Sequence, residues 1–369
     1  MLAPACALIL FTLLNALLPA LLSTRYRLGY DAGSPAPLAQ VDPLTIDEVL
    51  DAADRAGGRS VFWIGDSVVW SSSTQMTAPQ LLEAELQREY GPDVHVFNAA
   101  LPAARTADKY AILLRVLERR PALILYESKY LEFSRAQVET VTFRYPYLNE
   151  IVATDPAYAA RLGDFPYIRP PLVTTRSPLE VSIETTTQRW LSVLRYRALL
   201  QQIAFGGDLY GRLAGEPPSE APPVSIGSSS DGAPVAANAE AIARRPESFT
   251  GAYRSGPFDA FANAGLFFGQ RVAATLDQSR VPVIAYVAAL NHKLLGELGR
   301  DELFQSNMAI IDALFTGHRF PFSNYHQAIP EDRMFLDTEH LTVDGNLTMV
   351  HLLLNDHRAV FDGALRSTH

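Results

Sequence analysis

Short apolar runs alternate with helical stretches along this chain, and that alternation constrains the fold more than any other feature. Four runs have the length and apolar character of strands that are covered on both faces. They are Ser60 to Ile64, Val94 to Asn98, Ala122 to Tyr126 and Val281 to Val287. Helical stretches follow the first two runs: Ala78 to Tyr90 stops before Gly91, and Thr106 to Arg119 is closed by Pro121. Since strands joined through helices pair in parallel, we predict an α/β fold with a parallel sheet wrapped by helices.

A long interval separates the third predicted strand from the fourth. We expect residues 45–369 to form one α/β domain with an insertion at about 131–280. A helix is predicted around Gln188 to Ala204. Residues 215–245 are dense in Pro, Ser, Ala and Gly without an aromatic residue, and predict a flexible loop. The rest of the insertion is either a cap over a site or a surface excursion, and the sequence favours neither.

The first 24 residues carry no charged side chain, and Leu8 to Leu22 is almost continuously apolar, close to the shortest length that spans a bilayer. A retained membrane anchor, a cleaved signal peptide and a buried helix all fit such a segment. We expect the anchor, because no basic residue precedes the run, no small-x-small cleavage pattern follows it, and it has no polar face. Residues 25–44 are the expected linker. Arg25 and Arg27 follow the run, which by the positive-inside rule would leave the domain in the cytoplasm.

Composition argues against several kinds of protein. The 369 residues carry a net charge of −9 and no basic stripe, so a general role in binding nucleic acid is not expected. Cys6, inside the apolar N-terminal segment, is the only cysteine, which argues strongly against a disulfide framework, a cysteine-based zinc site and a cysteine nucleophile. We expect neither a metal ion nor a cofactor.

Gly65-Asp66-Ser67 follows the first predicted strand directly. In open α/β sheets such positions line the crevice at the carboxyl ends of the strands, where backbone N–H groups can face a developing oxyanion. Ser67 is therefore a candidate nucleophile. Gly-Asp-Ser is also an ordinary turn after a strand, in which the Asp66 side chain would stabilise the turn.

A histidine and a carboxylate occur together near the end of the chain. Asp337 and His340 are three residues apart, so one turn can present both side chains on the same side. A serine needs a base to take its proton, and the base works best when a third group fixes its tautomer. We therefore expect Ser67, His340 and Asp337 to form a catalytic triad. Asp344 is predicted to cap a helix over Asn346 to Leu354.

This order of motifs, a strand with Gly-Asp-Ser early and Asp-x-x-His-Leu late, resembles that of the SGNH or GDSL hydrolase superfamily. The resemblance covers roughly Ser60 to Glu132 and Pro282 to Leu354. It implies a three-layer α/β/α sandwich with a parallel sheet. It also implies acyl-ester chemistry with Ser67 as the nucleophile, His340 as the base and Asp337 as the partner of the base.

Two blocks between these motifs depart from the family pattern. After the second strand, Ala103 stands where the family usually has a glycine whose N–H helps to form the oxyanion hole. After the third strand the family usually has Gly-x-Asn-Asp, whose asparagine is a second donor, whereas this chain has Glu127-Ser128-Lys129. The resemblance then implies backbone donors at Ser67 and Ala103, with Lys129 or Ser128 in place of the missing amide.

The apolar N-terminal segment, the divergent third block and the long insertion together resemble one branch, the membrane-anchored SGNH proteins that O-acylate cell-envelope polymers. The likeness implies acetyl-type transfer to or from a polysaccharide or another hydroxyl acceptor through an acyl-serine. It further implies a membrane-bound O-acyltransferase as partner and an extracytoplasmic domain, and we give it more weight than the two arginines. Two alternatives stay open: a simple carbohydrate esterase, and a catalytically inactive SGNH-like domain that binds a polymer or scaffolds an envelope complex.

Asn291 and Arg105 are further candidates for binding the substrate. Asn291 follows the fourth strand and either contacts a hydroxyl group of the polymer or caps the next helix, with the cap as the stronger expectation. Arg105 lies beyond the second strand and either binds an anionic group or is a solvated charge at the start of a helix, again with the second as the stronger expectation.

Overall fold

The computed structural model describes residues 8–18, 45–70, 77–101, 104–134, 250–259 and 263–366, together with a few positions between 183 and 191. Most of the predicted insertion, including its flexible loop and nearly all of its predicted helix, lies outside the described residues, as do the linker and both ends of the predicted anchor. Within the described ranges no helix is both long and apolar enough to cross a membrane.

Helices and strands alternate along the described chain. The strands are β1 (Arg59–Ile64), β2 (Val94–Asn98), β3 (Leu123–Ser128), β4 (Val283–Val287) and β5 (Phe322–Asn324). After residue 44, the first helices are α1 (Thr45–Ala56), α2 (Ser67–Trp70), α3 (Ala78–Tyr90), α4 (Thr106–Glu118) and α5 (Ala264–Gln278). The others are α6 (His292–Leu295), α7 (Glu302–Phe315), α8 (Val343–Asp356) and α9 (Arg358–Leu365). Short 3₁₀ turns lie at Tyr130–Phe133, Gly251–Tyr253, Leu298–Arg300 and Asp332–Met334.

The five strands form one parallel sheet in the order β2-β1-β3-β4-β5. Four of them match predicted strands to within two residues at either end, so the prediction of an α/β fold with a parallel sheet is confirmed. The sequence did not predict β5. This edge strand has three residues, all of them half-buried, and pairs with β4 alone. It is too short to show the period of a strand.

Helices cover both faces of the sheet. On one face Phe62 and Ile64 pack with α1, α4, α5 and α7. On the other face Val61 and Trp63 pack with α3, α8 and α9. A parallel sheet covered on both sides exposes neither face to water, which explains why its strands are apolar almost throughout. This layering is compatible with the predicted α/β/α sandwich.

Two local assignments differ from the sequence prediction. Helix α5 falls in the interval predicted as an insertion, yet it packs in the core beside α4 through Leu266 and Val272. The end of this interval is therefore part of a helical layer. Helix α8 is capped by Thr342, whose hydroxyl accepts the N–H of Gly345 at 3.2 Å, and not by Asp344, which lies within the first turn. Thr342 takes that role because it is the last residue with an extended backbone before the helix.

The strand order has a switch point between β1 and β3. The chain leaves β1 toward β2 on one side and continues from β3 on the other, and ligands of open α/β sheets bind at such a switch point. Ser67 follows β1 and Lys129 follows β3, so both lie at this edge.

Candidate active site

The turn after β1 is fixed by close packing and by Asp66. A Cβ atom added at Gly65 would lie 2.6 Å from Cγ2 of Val69 and 3.0 Å from Oε2 of Glu127, so the turn has no room for a side chain there. Asp66 is buried. Its Oδ1 accepts the N–H of Val68 at 2.9 Å, and its own N–H donates to Glu127 Oε2 at 3.1 Å. Asp66 thus stabilises the turn, and the candidate nucleophile is the next residue.

Asp337 organises the loop that carries His340. Its Oδ1 accepts the N–H groups of Glu339 and His340 at 2.9 and 2.8 Å, and its Oδ2 lies 2.7 Å from Nδ1 of the His340 ring. The N–H of Leu336 closes the loop by donating to the His340 carbonyl at 2.7 Å. One carboxylate therefore both folds the loop and orients the imidazole.

The imidazole of His340 reaches the candidate nucleophile. Its Nε2 lies 2.9 Å from Oγ of Ser67, although the two residues are 273 positions apart in the chain. Ser67, His340 and Asp337 thus form a continuous hydrogen-bonded chain at the carboxyl edge of the sheet. The side chains of His340 and Asp337 are 24% and 26% exposed, so this chain of side chains is accessible from solvent.

The charges around His340 favour its protonated form. Burial alone would lower the pKa of His340, but the charge and the hydrogen bond of Asp337, together with the charge of Glu339, raise that pKa to about 9, while Lys129 acts in the opposite direction. Burial alone would likewise raise the pKa of Asp337, but His340 and the backbone N–H groups of the loop lower it to about 2. Asp337 is therefore ionised at neutral pH, and most His340 side chains carry a proton.

Beneath these residues lies a set of buried, oppositely charged side chains that we call the buried ion network. Its members are Asp66, Lys109, Glu127, Lys129, Glu132 and Glu339. Lys129 pairs with Asp66 and, at 2.8 Å, with Glu339 Oε1. Burial opposes the ionisation of Asp66, but Lys129 and Lys109 hold its pKa below the ordinary value.

Lys109 forms the second half of the network. Its ammonium group donates to Glu127 Oε2 at 2.6 Å and to Glu132, which also accepts from the hydroxyl of Thr106 at 3.0 Å. Burial raises the pKa of Glu127 to about 8, against the opposing charge of Lys109, so one carboxyl of the network retains a proton at neutral pH.

Three carboxylates of the network could in principle hold a metal ion. One carboxylate oxygen from each of Asp66, Glu127 and Glu132 lies within 4.8 Å of the other two. The ammonium groups of Lys109 and Lys129 already pair with these carboxylates, and a cation bound there would face their repulsion. The donor set fits lysine better than a metal ion.

The structure describes some of the predicted oxyanion donors but not all of them. Ala103 lies outside the described residues. Leu101, two positions before it, donates its N–H to the Gly65 carbonyl at 3.3 Å and therefore lies beside the turn that carries Ser67. Ser128 is buried, and its hydroxyl has no hydrogen-bond partner among the described residues. Lys129 directs its ammonium group to two carboxylates of the network.

Asn291 and Arg105 both lie at the starts of helices. The side-chain oxygen Oδ1 of Asn291 accepts the N–H of Leu294 at 3.2 Å, and its side-chain amide Nδ2 donates to Asp332 at 2.8 Å. Its backbone N–H holds the carbonyl of Thr338 at 2.9 Å, so it caps α6 and fastens the histidine loop, as the stronger expectation had it. Arg105 is the half-buried N-cap residue of α4, and substrate binding by either residue stays a prediction.

Sequence reasoning missed Glu339, Tyr253 and Lys109 as residues of this site. The hydroxyl of Tyr253 donates to Glu339 Oε2 at 3.0 Å and lies 3.3 Å from the hydroxyl of Thr338. A usable signal is the charge of Lys109 within a largely apolar predicted helix and of Glu127 directly after an apolar predicted strand, since charges that become buried must be paired.

Comparison with known proteins adds little. No protein-family model matches the chain, and no curated protein matches it. One solved structure that overlaps it is an inhibitor-bound aryl esterase from M. smegmatis, which covers 82% of this chain and 100% of its own, with a TM-score of 0.34 and 12% identity. A likeness at that TM-score does not show a shared fold or function, so the function of the site has to be inferred from its geometry.

Proposed function

We propose that this chain is a serine-dependent acyl-ester enzyme of the SGNH type. The observation that carries the proposal is the continuous hydrogen-bonded chain from Ser67 Oγ through the His340 ring to Asp337, with separations of 2.9 and 2.7 Å. These are distances at which a proton can pass from a nucleophile to a base whose orientation a third group fixes.

The reaction follows from that geometry. Neutral His340 takes the proton of Ser67 as Oγ attacks the acyl carbon, and the tetrahedral oxyanion forms. When the intermediate collapses, the ester bond breaks, the leaving alkoxide takes the proton from His340, and the acyl group remains on Ser67. An acceptor hydroxyl or water, deprotonated by His340, then attacks the acyl-serine, and Ser67 is regenerated when it recovers that proton. Asp337 stabilises the imidazolium in both halves of the reaction.

We assign the oxyanion to backbone donors at Ser67 and Ala103. The carboxyl edge of β1 is the place where such groups converge in open α/β sheets. The bond from Leu101 to Gly65 supports this assignment, because it brings the chain just ahead of Ala103 next to the serine turn.

The finer part of the proposal is transfer of an acetyl-type group to a cell-envelope polysaccharide. Its support is the sequence resemblance to membrane-anchored SGNH proteins and the apolar N-terminal segment. On this proposal the chain is anchored at its N-terminus, its catalytic domain is extracytoplasmic, and its acyl donor is supplied with the help of a membrane-bound O-acyltransferase.

The geometry favours an enzyme over an inactive polymer-binding domain. A domain that had lost its chemistry would be under no constraint to keep Ser67 within hydrogen-bond distance of His340, and the two lie 2.9 Å apart. The loop contacts of Asp337 maintain this arrangement, since its two oxygens hold both the backbone and the ring.

The test of the nucleophile is covalent labelling with a fluorophosphonate probe. We expect the wild-type protein to be labelled on Ser67 and the Ser67→Ala variant to be unlabelled. Ser323→Ala is a matched control, because Ser323 Oγ also lies close to a histidine, 3.1 Å from Nε2 of His357, but is not part of the proposed triad. Undiminished labelling of Ser67→Ala would contradict the assignment.

Transfer is separated from hydrolysis by following the acyl group. The protein is incubated with 4-nitrophenyl acetate, and mass spectrometry of the Ser67 peptide reports the acyl-enzyme. A polysaccharide with free hydroxyl groups is then added. Acetyl groups recovered on the polymer support transfer, whereas release of free acetate alone supports the simple esterase.

A further inference from the structure

Lys129 lies between the two segments that carry the proposed nucleophile and base. It follows β3, and its buried ammonium group pairs with Asp66 on one side and with Glu339, at 2.8 Å, on the other. Asp66 immediately precedes Ser67, and Glu339 immediately precedes His340. A single cation thus joins the neighbours of both residues across the edge of the sheet.

The Asp66 end of this connection is rigid. Asp66 is fully buried, its Oδ1 holds the N–H of Val68, and its N–H is held by Glu127. A displacement of the carboxylate would therefore move the backbone on both sides of Ser67.

The Glu339 end is also held at several points. Oε1 of Glu339 pairs with Lys129, and Oε2 accepts from the Tyr253 hydroxyl at 3.0 Å. The backbone N–H of Glu339 donates to Asp337 Oδ1 at 2.9 Å. Both carboxylate oxygens thus have partners from distant parts of the chain, while the backbone of the same residue belongs to the histidine loop.

We propose that Lys129 is a positioning residue that ties the Ser67 turn to the His340 loop through Asp66 and Glu339, with Tyr253 securing the far oxygen of Glu339. The inference rests on the proposed function, because it concerns the alignment of that serine and that histidine. It gives Lys129 a role other than that of an oxyanion donor: the lysine acts through its neighbours and not on the substrate.

The same residues also contribute to the electrostatic environment of the His340 ring. The groups that face the ring are Asp337 and Glu339 from its own loop, Lys129 from the end of β3, Ser67 from α2 and, through Glu339, Tyr253. The Glu339 carboxylate favours a protonated ring, and the Lys129 ammonium disfavours it. Removing either charge should therefore move the pH dependence of catalysis, and in opposite directions.

The experiment compares Glu339→Gln and Lys129→Met with the wild-type chain, using 4-nitrophenyl acetate between pH 6 and pH 10.5. Both changes remove the ion pair between Lys129 and Glu339. We expect kcat to fall about 10- to 100-fold with little change in KM, as a misalignment of Ser67 and His340 by about 1 Å can produce. The midpoint of the kcat/KM profile should move to lower pH in Glu339→Gln and to higher pH in Lys129→Met. Lys129→Arg keeps the charge, so its midpoint should stay near the wild-type value.

Two further variants keep the test decisive. Lys129→Met leaves two buried carboxylates without their cation and is expected to destabilise the fold, so thermal unfolding is recorded for every variant. If Lys129→Met does not fold, the Glu339→Gln and Tyr253→Phe variants test the positioning role instead. Tyr253→Phe removes one hydroxyl and should lower kcat without raising KM. Glu297→Gln is the matched control: it makes the same change in an exposed ion pair with Arg300 and should leave both kcat and the profile unchanged.

Folded Glu339→Gln and Tyr253→Phe variants with wild-type kcat would overturn the positioning role. So would a fall in kcat without a shift of the Glu339→Gln midpoint to lower pH, because a merely structural role predicts no such shift. These failures are distinct from failure of the proposed function, which is reported separately by the labelling of Ser67→Ala.

Discussion

Activity of the proposed enzyme should rise with pH well above neutrality, because His340 has to lose a proton before it can act as a base. The pKa of His340 is about 9, compared with an ordinary value of 6.5. With that pKa, only about 1% of the molecules carry the neutral ring at pH 7. The rate constant for labelling Ser67 should increase about tenfold from pH 7 to pH 8 and level off above pH 9.

The same interaction contributes to stability with the opposite pH dependence. The rise in the pKa of His340 from 6.5 to about 9 corresponds to about 3 kcal/mol in favour of the protonated, folded state. Because the folded-state value is the higher one, this contribution is fully present below pH 6.5 and is lost as the pH rises through about 9. The free energy of unfolding should therefore decrease over the range in which activity increases.

The assay measures fluorophosphonate labelling and kcat/KM for 4-nitrophenyl acetate from pH 6 to pH 10.5, with urea unfolding at the same pH values. Asp337→Asn serves as the comparison. It removes the charge that favours the protonated ring, so its midpoint should fall toward 6.5. Its kcat should drop about 10⁴-fold, because the amide no longer selects the productive tautomer.

Two results would refute this reasoning. One is a wild-type rate that has already reached its plateau at pH 7, which would mean that Asp337 and Glu339 do not favour the charged ring. The other is an Asp337→Asn midpoint that coincides with the wild-type midpoint. The difference between the two unfolding curves isolates the His340 contribution from that of other groups, since Glu127, with a pKa of about 8, titrates in the same range in both proteins.

The structure supports three further predictions. Gly65→Ala should destabilise the fold by about 1–3 kcal/mol in urea unfolding and slow labelling, since the added Cβ would lie 2.6 Å from Val69; a variant as stable and as reactive as wild type would contradict the packing argument. Lys109→Met should destabilise by about 3–5 kcal/mol at neutral pH, because two buried glutamates lose their cation, and the loss should be smaller at low pH; an equal loss at both pH values would count against it. Thr342→Ala should cost about 1 kcal/mol of unfolding free energy and Asp344→Ala less, whereas the reverse order would restore Asp344 as the cap of α8.

The parts of the fold that the sequence predicts are those with a local signal. Four strands show as short apolar runs, and the serine and histidine segments show as a turn after a strand and a closely spaced Asp–His pair. Asp337 and His340 meet because three residues span one turn, so their contact follows from spacing alone. The edge strand β5 and the starting point of α8 lack such a signal, because three residues show no period and two candidate caps stand two positions apart.

The buried ion network could not be predicted in the same way. Lys129 and Glu339 are separated by 210 positions, and Lys109 and Glu127 come from a helix and a strand that meet only in the folded chain. In the sequence Glu127 directly follows the predicted third strand, and only the structure shows that it lies within buried β3 and therefore needs a partner, which Lys109 supplies. The family resemblance implies that Lys129 or Ser128 donates to the oxyanion in place of the missing asparagine, whereas the structure gives the Lys129 ammonium group two carboxylate partners.

An excess of carboxylates next to a site that we propose to stabilise an oxyanion needs an explanation. The network holds four carboxyl groups against two ammonium groups, and even with Glu127 protonated its anions outnumber its cations, which disfavours the development of further negative charge nearby. On the proposed mechanism, the proton that moves from Ser67 to His340 compensates for this, because the imidazolium forms in the same step as the oxyanion and is favoured by Asp337 and Glu339. A raised pKa of His340 thus reduces the fraction of molecules ready to react at neutral pH but makes each proton transfer more favourable. Lys129 moderates this balance, since its positive charge keeps the pKa of His340 from rising further while its ammonium group pairs with the residues that precede Ser67 and His340.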